Sequence, residues 1–187
     1  MTRIHSCLLI LSIFFTLTAS AQSTTTPPSA DEVVKAACKE AASSHRKVFI
    51  LFHASWCGWC HRMDSLLLSP VCKQLFQDHY VIRHLVIMEN DNKKSLENPG
   101  AQELYTRYAG EKGLGIPFWL VVDKSGTVIA DSRIKPQGAA PGSAGDNSGC
   151  PDTPGEEAYF LQVLQATSSL SADQLQTIGK QFAGRKG

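Results

Sequence analysis

Residues 55–63, SWCGWCHRM, decide the fold and the chemistry that this chain can support. Two residues separate Cys57 from Cys60, which is the C-x-x-C spacing of a pair of redox thiols. The same letters continue to His61 and so also spell C-x-x-C-H, the pattern by which a c-type haem is attached. The surrounding sequence has to distinguish these two interpretations.

The cysteine pair lies between a predicted strand and a predicted helix. Residues 47–55, KVFILFHAS, form a continuous apolar run that is typical of a strand covered on both faces. From Cys57 onward the apolar spacing becomes helical. A helix N-terminus offers free N–H groups and the positive end of the helix dipole, so we expect the pKa of Cys57 to lie below the free-thiol value of about 8.5. Cys60 lies one turn deeper, so we expect an exposed attacking sulfur and a shielded resolving sulfur.

The rest of the chain predicts an α/β fold. Apolar periodicity gives the order helix, strand, helix, strand, helix, strand, strand, helix, with two helical segments closing the chain. Pro70 is expected to kink or restart the second helix. Strand–helix–strand units indicate parallel pairing, and a hairpin at residues 123–126 adds antiparallel pairing. We therefore expect a central mixed sheet flanked by helices, with a Gly/Pro-rich loop at 135–155.

The first residues predict export. Arg3 precedes an apolar run of about ten residues, and a small-residue cleavage site follows at 19–21. The run is shorter than the roughly 20 residues that cross a bilayer, although a buried helix or an uncleaved anchor are the alternatives. We expect a periplasmic or secreted protein without stable membrane insertion, divided into a signal peptide at 1–21, a linker at 22–32 and one domain at 33–187.

The charge balance and the number of cysteines limit which binding partners and which disulfides we expect. Lys and Arg number 18 against 17 Asp and Glu, which gives no reason to expect nucleic acid as a partner. Of six cysteines, Cys7 belongs to the predicted signal peptide, and the remaining odd number leaves at least one thiol free or paired outside the chain. Cys38 fits a core position or a structural disulfide. Cys150, in the predicted loop, has Cys38 or Cys72 as a candidate partner.

The context of the cysteine pair favours redox thiols over haem or metal. Haem attachment would need an axial iron ligand that no pattern places, and small haem domains are usually helical. Zinc would need a second ligand pair at recognisable spacing. A purely structural disulfide between Cys57 and Cys60 is a further alternative. We expect a redox pair with no metal and no cofactor, because the two sulfurs carry the electrons.

Two separate segments resemble the thioredoxin superfamily. FHASWCGWC at 52–60 supplies the Trp before the first cysteine and the C-G-x-C core, and GIPFWLVVD at 115–123 supplies Gly-Ile-Pro opening a strand before a D-x-x-G hairpin. The resemblance runs from about residue 33 to residue 166. Within the superfamily the chain is most similar to exported thioredoxin-like proteins with a WCGWC centre.

The resemblance implies roles for further residues. Pro117 would be a cis-proline adjacent in space to Cys57, and with Ile116 it would present a backbone edge to an extended substrate. The alternative for Ile-Pro is a simple strand start. Apart from the resemblance, Trp56 and Trp59 flank Cys57, and beside an exposed sulfur they are expected to form an apolar platform for substrate, with a core role as the alternative. Trp59 stands where thioredoxins usually have proline.

The chain also departs from the thioredoxin pattern at the buried acid. Thioredoxins carry this acid six residues before the first cysteine, and it assists proton removal from the second; Leu51 occupies the position here. The candidate proton acceptors are water and the side chains of His53, His61 and Asp64, each side chain with a solvated or structural role as the alternative. As a cation, His61 would also lower the pKa of Cys57.

Together these features predict an exported thiol–disulfide oxidoreductase, acting as a protein-disulfide reductase, oxidase or isomerase. Cys57 would attack a substrate disulfide and Cys60 would resolve the mixed disulfide, with protein thiols and disulfides as partners. A reductase would also need a membrane redox partner as its source of electrons. The alternative from another class is a non-catalytic thioredoxin-fold binding module.

Overall fold

The computed structural model describes residues 26–183, and these contain a four-stranded sheet. The strands are β1 (Lys47–His53), β2 (Tyr80–Val86), β3 (Phe118–Val122) and β4 (Val128–Asp131), in the spatial order β2-β1-β3-β4. β1 pairs parallel with β2 and antiparallel with β3, and β3 pairs antiparallel with β4. The predicted α/β fold with a mixed central sheet is confirmed.

The helices follow the predicted order with small differences at their ends. They are α1 (Ala30–Ser44), α2 (Gly58–Leu67), α3 (Lys73–His79), α4 (Ala101–Ala109), α5 (Pro154–Thr167) and α6 (Ala172–Ala183). The predicted linker extends too far, because Ser29 and Glu32 form a capping box that starts α1 at Ala30. After β2 the chain forms a short 3-10 helix, Asp91–Leu96. As expected for Pro70, one helix ends before it and another begins after it.

Side chains of β1 alternate between two cores, one on each face of the sheet. Phe49 and Leu51 pack with buried residues of α2, α3, α5 and α6. Val48, Ile50 and Phe52 pack with buried residues of α1 and α4. This alternation is the geometry of a strand, in which successive side chains point to opposite faces. β1 is therefore covered on both faces, as its apolar run predicted, and its end is held firmly just before the cysteine pair.

A segment between β4 and α5, residues 132–153, forms an ordered loop. Buried Asp131 accepts hydrogen bonds from the backbone N of Arg133 and Gly142 and from Lys135 Nζ. Trp119 Nε1 donates to Gly149 O at 3.0 Å, which ties the loop to β3. The prediction of a loop over 135–155 is close, but α5 begins at Pro154.

The predicted signal peptide and the first residues of the predicted linker, up to residue 25, lie outside the described residues. Within residues 26–183, no helix has the length and apolar character needed to cross a bilayer.

Candidate functional site

Cys57 and Cys60 form a disulfide at the N-terminus of α2, with their Cα atoms 5.2 Å apart. Cys57 is the N-cap residue, and its Sγ accepts a hydrogen bond from the backbone N of Cys60 at 3.1 Å. An otherwise free helix N–H therefore points at the first sulfur. Covalent attachment of a c-type haem would use both sulfurs, but here the two sulfurs are bonded to each other.

Cys57 is less exposed than predicted. Only 4% of its surface is accessible, against 0% for Cys60. Ala54 and Ile116 pack against the two cysteines, and Ile116 O lies 3.6 Å from Cys57 Sγ. The expectation of a clearly exposed attacking sulfur is wrong, because the segment before β3 covers it. The difference in exposure between the two cysteines is therefore small, although Cys57 is still the more accessible one.

The Ile116–Pro117 peptide bond is cis, and Pro117 directly precedes β3. A side chain from the 132–153 loop holds this segment: Asn147 Nδ2 donates to Pro117 O at 2.9 Å and to Leu114 O at 3.3 Å. Asn147 Oδ1 in turn accepts from the backbone N of Gly149 at 3.0 Å. The loop therefore fixes the backbone that lies against Cys57.

The two tryptophans beside the cysteines are both about half exposed, at 52% for Trp56 and 48% for Trp59. Trp56 Nε1 donates to Met88 O at 2.7 Å. The Arg62 guanidinium lies 4.9 Å from the centre of the Trp59 ring, in cation–π range, and also pairs with Asp152 at 2.9 Å. Both rings thus offer apolar surface to solvent next to the cysteine pair, which is what a substrate platform requires.

Trp59, Ile116 and Pro117 line one side of a cleft of about 260 Å³, which we call the Pro117 cleft. Its other side is formed by residues 147–150 of the loop together with Asp152, Thr153 and Glu156. Cys57 and Cys60 are not among its lining residues, but Ile116 is, and Ile116 O lies 3.6 Å from Cys57 Sγ; a larger cavity of about 430 Å³ includes neither Ile116 nor Pro117. The Pro117 cleft is therefore the concave surface that adjoins the predicted chemistry.

Among the predicted proton acceptors, His61 and Asp64 already have partners. His61 is exposed, and its Nε2 lies 3.0 Å from Ser55 O. Asp64 Oδ1 lies 2.7 Å from His84 Nε2. Leu51, which stands at the position of the thioredoxin acid, is fully buried.

His53 has a different environment at the end of β1. Its Nδ1 is buried and has no hydrogen-bond partner among residues 26–183. Burial lowers the pKa of His53 below its ordinary value of 6.5, and the ring of His84, centred 4.9 Å away, lowers it further. His53 is therefore mostly neutral near pH 7 and has a nitrogen available to accept a proton.

Glu89 is a buried carboxylate that the sequence patterns do not indicate. It accepts hydrogen bonds from the backbone N and the hydroxyl of Ser55, the latter at 2.8 Å. Burial alone would raise the pKa of Glu89, but these hydrogen bonds and nearby Lys93 and His53 hold it below its ordinary value. The carboxylate stays ionised and anchors the turn that leads into Cys57.

Three further cysteines, Cys38, Cys72 and Cys150, are buried free thiols. Burial raises the pKa of each, and that of Cys150 to about 12. The pairing suggested for Cys150 is not formed; Cys38 packs in the core on the opposite face of the sheet. Although Cys150 lies in the loop, it belongs to the core beneath the Pro117 cleft.

Comparison with known families accounts for both sequence motifs. The model of a thioredoxin-like family matches residues 30–124, about half of the chain, including the cysteine pair and Ile116–Pro117. The chain belongs to the thioredoxin-like family. The cysteine pair is thus the redox-type C-x-x-C disulfide of a thioredoxin-like disulfide oxidoreductase fold.

Several solved structures are similar to this chain at low sequence identity. A disulphide isomerase from Xylella fastidiosa Temecula1 is 22% identical, with a TM-score of 0.44, over 65% of this chain and 80% of its own. The DsbH oxidoreductase is 19% identical, with a TM-score of 0.42, over 81% and 92%. A thioredoxin from Thermus thermophilus is 21% identical, with a TM-score of 0.41, over 76% and 87%. No curated protein matches the chain.

The thioredoxin-like family match ends before the residues that complete the site. β4, the 132–153 loop, α5 and α6 all follow residue 124. Asn147, Ser148 and Glu156 are therefore features of this chain that neither the two motifs nor the family match indicate. Their only signal in the sequence is their place in a long Gly/Pro-rich insertion, which predicts a loop but not what it contacts.

Proposed function

We propose that this thioredoxin-like protein is an exported thiol–disulfide oxidoreductase that exchanges the Cys57–Cys60 disulfide with protein substrates. The observation that carries the proposal is the disulfide at the N-terminus of α2 with Ile116 O 3.6 Å from Cys57 Sγ. Export is supported by the charge and apolar pattern of the first residues.

The exchange runs through a mixed disulfide. In the reducing direction, the Cys57 thiolate attacks one sulfur of a substrate disulfide, and the other substrate sulfur leaves with the electron pair as a thiolate. Cys60 then attacks Cys57 Sγ, which releases the second substrate thiolate and forms the intramolecular disulfide. Two electrons pass from the protein dithiol to the substrate. The same steps in reverse oxidise a substrate dithiol.

Groups near the cysteine pair can stabilise the Cys57 thiolate and accept the proton of Cys60. The Cys60 N–H, which contacts Cys57 Sγ at 3.1 Å, and the N-terminus of α2 favour negative charge on that sulfur. His53, mostly neutral near pH 7 and with Nδ1 unpaired, is our candidate to take the Cys60 proton. The backbone at Ile116 is our candidate to pair with an extended substrate segment, strand to strand.

The test compares three cysteine variants in insulin-disulfide reduction. We expect Cys57→Ser to abolish the activity, because no attacking sulfur is left, and Cys60→Ser to accumulate mixed disulfides, because none is resolved. Cys38→Ala removes a buried free thiol of α1, in the core between the sheet and helices α1 and α4. It serves as the control that keeps activity. Full activity of Cys57→Ser would overturn the assignment. The reduction potential of the pair then decides whether the protein reduces or oxidises its substrates.

A second candidate function is a non-catalytic binding module, which the low exposure of Cys57 favours. Such a module would use the Pro117 cleft to dock a partner and would not need an exchangeable disulfide. Incubation with reduced and oxidised glutathione separates the two functions. An oxidoreductase equilibrates its Cys57–Cys60 pair with glutathione, whereas an inert disulfide supports the binding module.

Export has its own test. We expect the mature protein in the periplasmic or secreted fraction, with an N-terminus near Gln22, when the full chain is produced. An uncleaved chain confined to the cytosol would overturn this part of the proposal.

A further inference from the structure

The Pro117 cleft joins the redox pair to a part of the chain outside the family match. One side carries Trp59 and the Ile116–Pro117 backbone that contacts Cys57, and the other side carries residues 147–150 and the start of α5. Its volume of about 260 Å³ is just below the roughly 300–1,000 Å³ of small-molecule pockets. A cleft of this size next to the reacting sulfur has room for one long side chain of a bound polypeptide.

The charged residues that line the cleft are acidic. Asp152 and Glu156 lie in its wall, and no Lys, Arg or His is among its described lining residues. Arg62 pairs with Asp152 at 2.9 Å. Glu156 Oε2 accepts from the backbone N of Asp152 and of Thr153, which fixes the carboxylate at the start of α5.

A buried hydroxyl adds an unmet hydrogen-bonding group. Ser148 is in the cleft wall, is 2% exposed, and its Oγ has no hydrogen-bond partner among residues 26–183. Leaving a buried polar group unpaired costs about 1–3 kcal/mol. A ligand that brings a hydrogen-bonding group into the cleft would remove that cost, and an apolar ligand would not; the choice of a cation rests on the lining carboxylates.

We propose that the Pro117 cleft binds the substrate side chain that neighbours the reacting cysteine, and that it selects Lys or Arg at that position. The methylene groups of such a side chain pack on Trp59 and Ile116, while its charged end reaches Glu156 and the Ser148 hydroxyl. This inference rests on the proposed oxidoreductase function. It assigns substrate selection to residues that follow the family match.

The test uses disulfide-linked peptides that differ only in the residue next to the cysteine, which is Lys, Met or Glu. We expect the reduced protein to give the highest kcat/KM with the Lys peptide and the lowest with the Glu peptide. Glu156→Gln removes the charge but keeps an acceptor for the capping box at the start of α5. We expect it to reduce the Lys-over-Met preference about three- to five-fold, the size expected for a partly exposed ion pair.

A matched control lies one residue further along α5. Glu157→Gln changes the net charge by the same amount, but this side chain packs near Gly179 of α6 rather than in the cleft. We expect it to leave the preference unchanged. If both variants reduce the preference equally, the effect comes from overall charge and the inference fails.

Failure of the inference is distinguishable from failure of the proposed function. Equal kcat/KM for the three peptides would leave the exchange function intact and overturn the assigned selectivity. If no peptide is reduced, the proposed function fails, and binding of analogues with Ser in place of Cys tests the cleft alone. Tighter binding of the Lys analogue than of the Glu analogue then supports a cationic subsite, and equal binding overturns it.

Discussion

Residues 30–124, which match the family, and residues 125–183, which follow, contribute different parts of one site. The first region supplies β1, the N-terminus of α2 with its disulfide, and the Ile116–Pro117 backbone. The second supplies Asn147, which holds that backbone, and the outer wall of the Pro117 cleft. The groups for disulfide exchange therefore lie within the family match, whereas much of the surface beside them is formed by residues that follow it.

The two regions also share one core, which leads to the prediction with the largest effect. Phe160 of α5 is fully buried, and its ring lies 5.6 Å from that of Trp119 and 6.5 Å from that of Phe49, centre to centre. We expect Phe160→Ala to lower the free energy of unfolding by about 3–5 kcal/mol, because it opens a cavity in this core. Urea denaturation measures the change.

A control for Phe160→Ala comes from the same region. Ile129 in β4 is 37% exposed, and we expect Ile129→Ala to change the free energy of unfolding by less than about 1 kcal/mol. If Phe160→Ala is as mild as this control, residues 125–183 are an appendage rather than part of the fold, and the comparison fails.

The second prediction concerns Asn147, a residue of the second region that holds backbone of the first region. Asn147→Ala removes the donor to Pro117 O and Leu114 O, and we expect it to cost about 1–3 kcal/mol of stability. We also expect a lower kcat/KM in disulfide reduction, since the backbone against Cys57 loses its support. Denaturation and insulin reduction, each against exposed Gln137→Ala in the same loop, measure the two effects.

The outcome of the Asn147 experiment sharpens the comparison in either direction. Loss of both stability and kcat/KM supports a loop that positions the site. Unchanged kcat/KM in a destabilised variant would show that the loop only adds stability, and the site would then depend on the first region alone.

Most of the first region could be predicted from local patterns, and the reasons are physical. The apolar run of β1 identifies a strand buried on both faces, and the change to helical spacing at Cys57 identifies where α2 begins. The resemblance, with its two segments, pointed to Pro117 beside Cys57. The domain boundary predicted at residue 33 is three residues too late, because the Ser29–Glu32 capping box starts α1 at Ala30.

The second region could not be predicted in the same way. A Gly/Pro-rich loop has no periodicity, so the sequence does not show that Asn147 reaches Pro117 across 30 positions of the chain. The burial of Cys150 and the cleft at Glu156 also depend on where the loop folds back. The low exposure of Cys57 was missed for a related reason, since it depends on packing by Ile116 and not on the helix that carries the cysteine.

The smallest predicted effect is a change in the pH dependence of stability, and it comes from His53 in the first region. Because burial holds the pKa of folded His53 below 6.5, the unfolded chain binds more protons than the folded chain as the pH falls through this range. The contribution of His53 to stability is therefore fully present above about pH 6.5 and is lost as the pH falls toward its folded pKa. Asp64, His84, Glu89 and His61 act on the same ring, so the comparison has to be made between variants.

As the pH falls from about 7 to about 5, we expect the free energy of unfolding of His53→Asn to fall less than that of the unchanged protein. Urea denaturation at each pH measures this difference. His45→Asn is the matched control: His45 is an exposed residue at the end of α1 with a φ of 56°, a conformation that Asn tolerates. Its pH dependence should follow that of the unchanged protein. If His53→Asn also follows it, His53 does not titrate as a buried neutral side chain, and it is no longer a candidate to take the Cys60 proton. The proton acceptor would then have to be solvent or one of the already paired groups, His61 or Asp64.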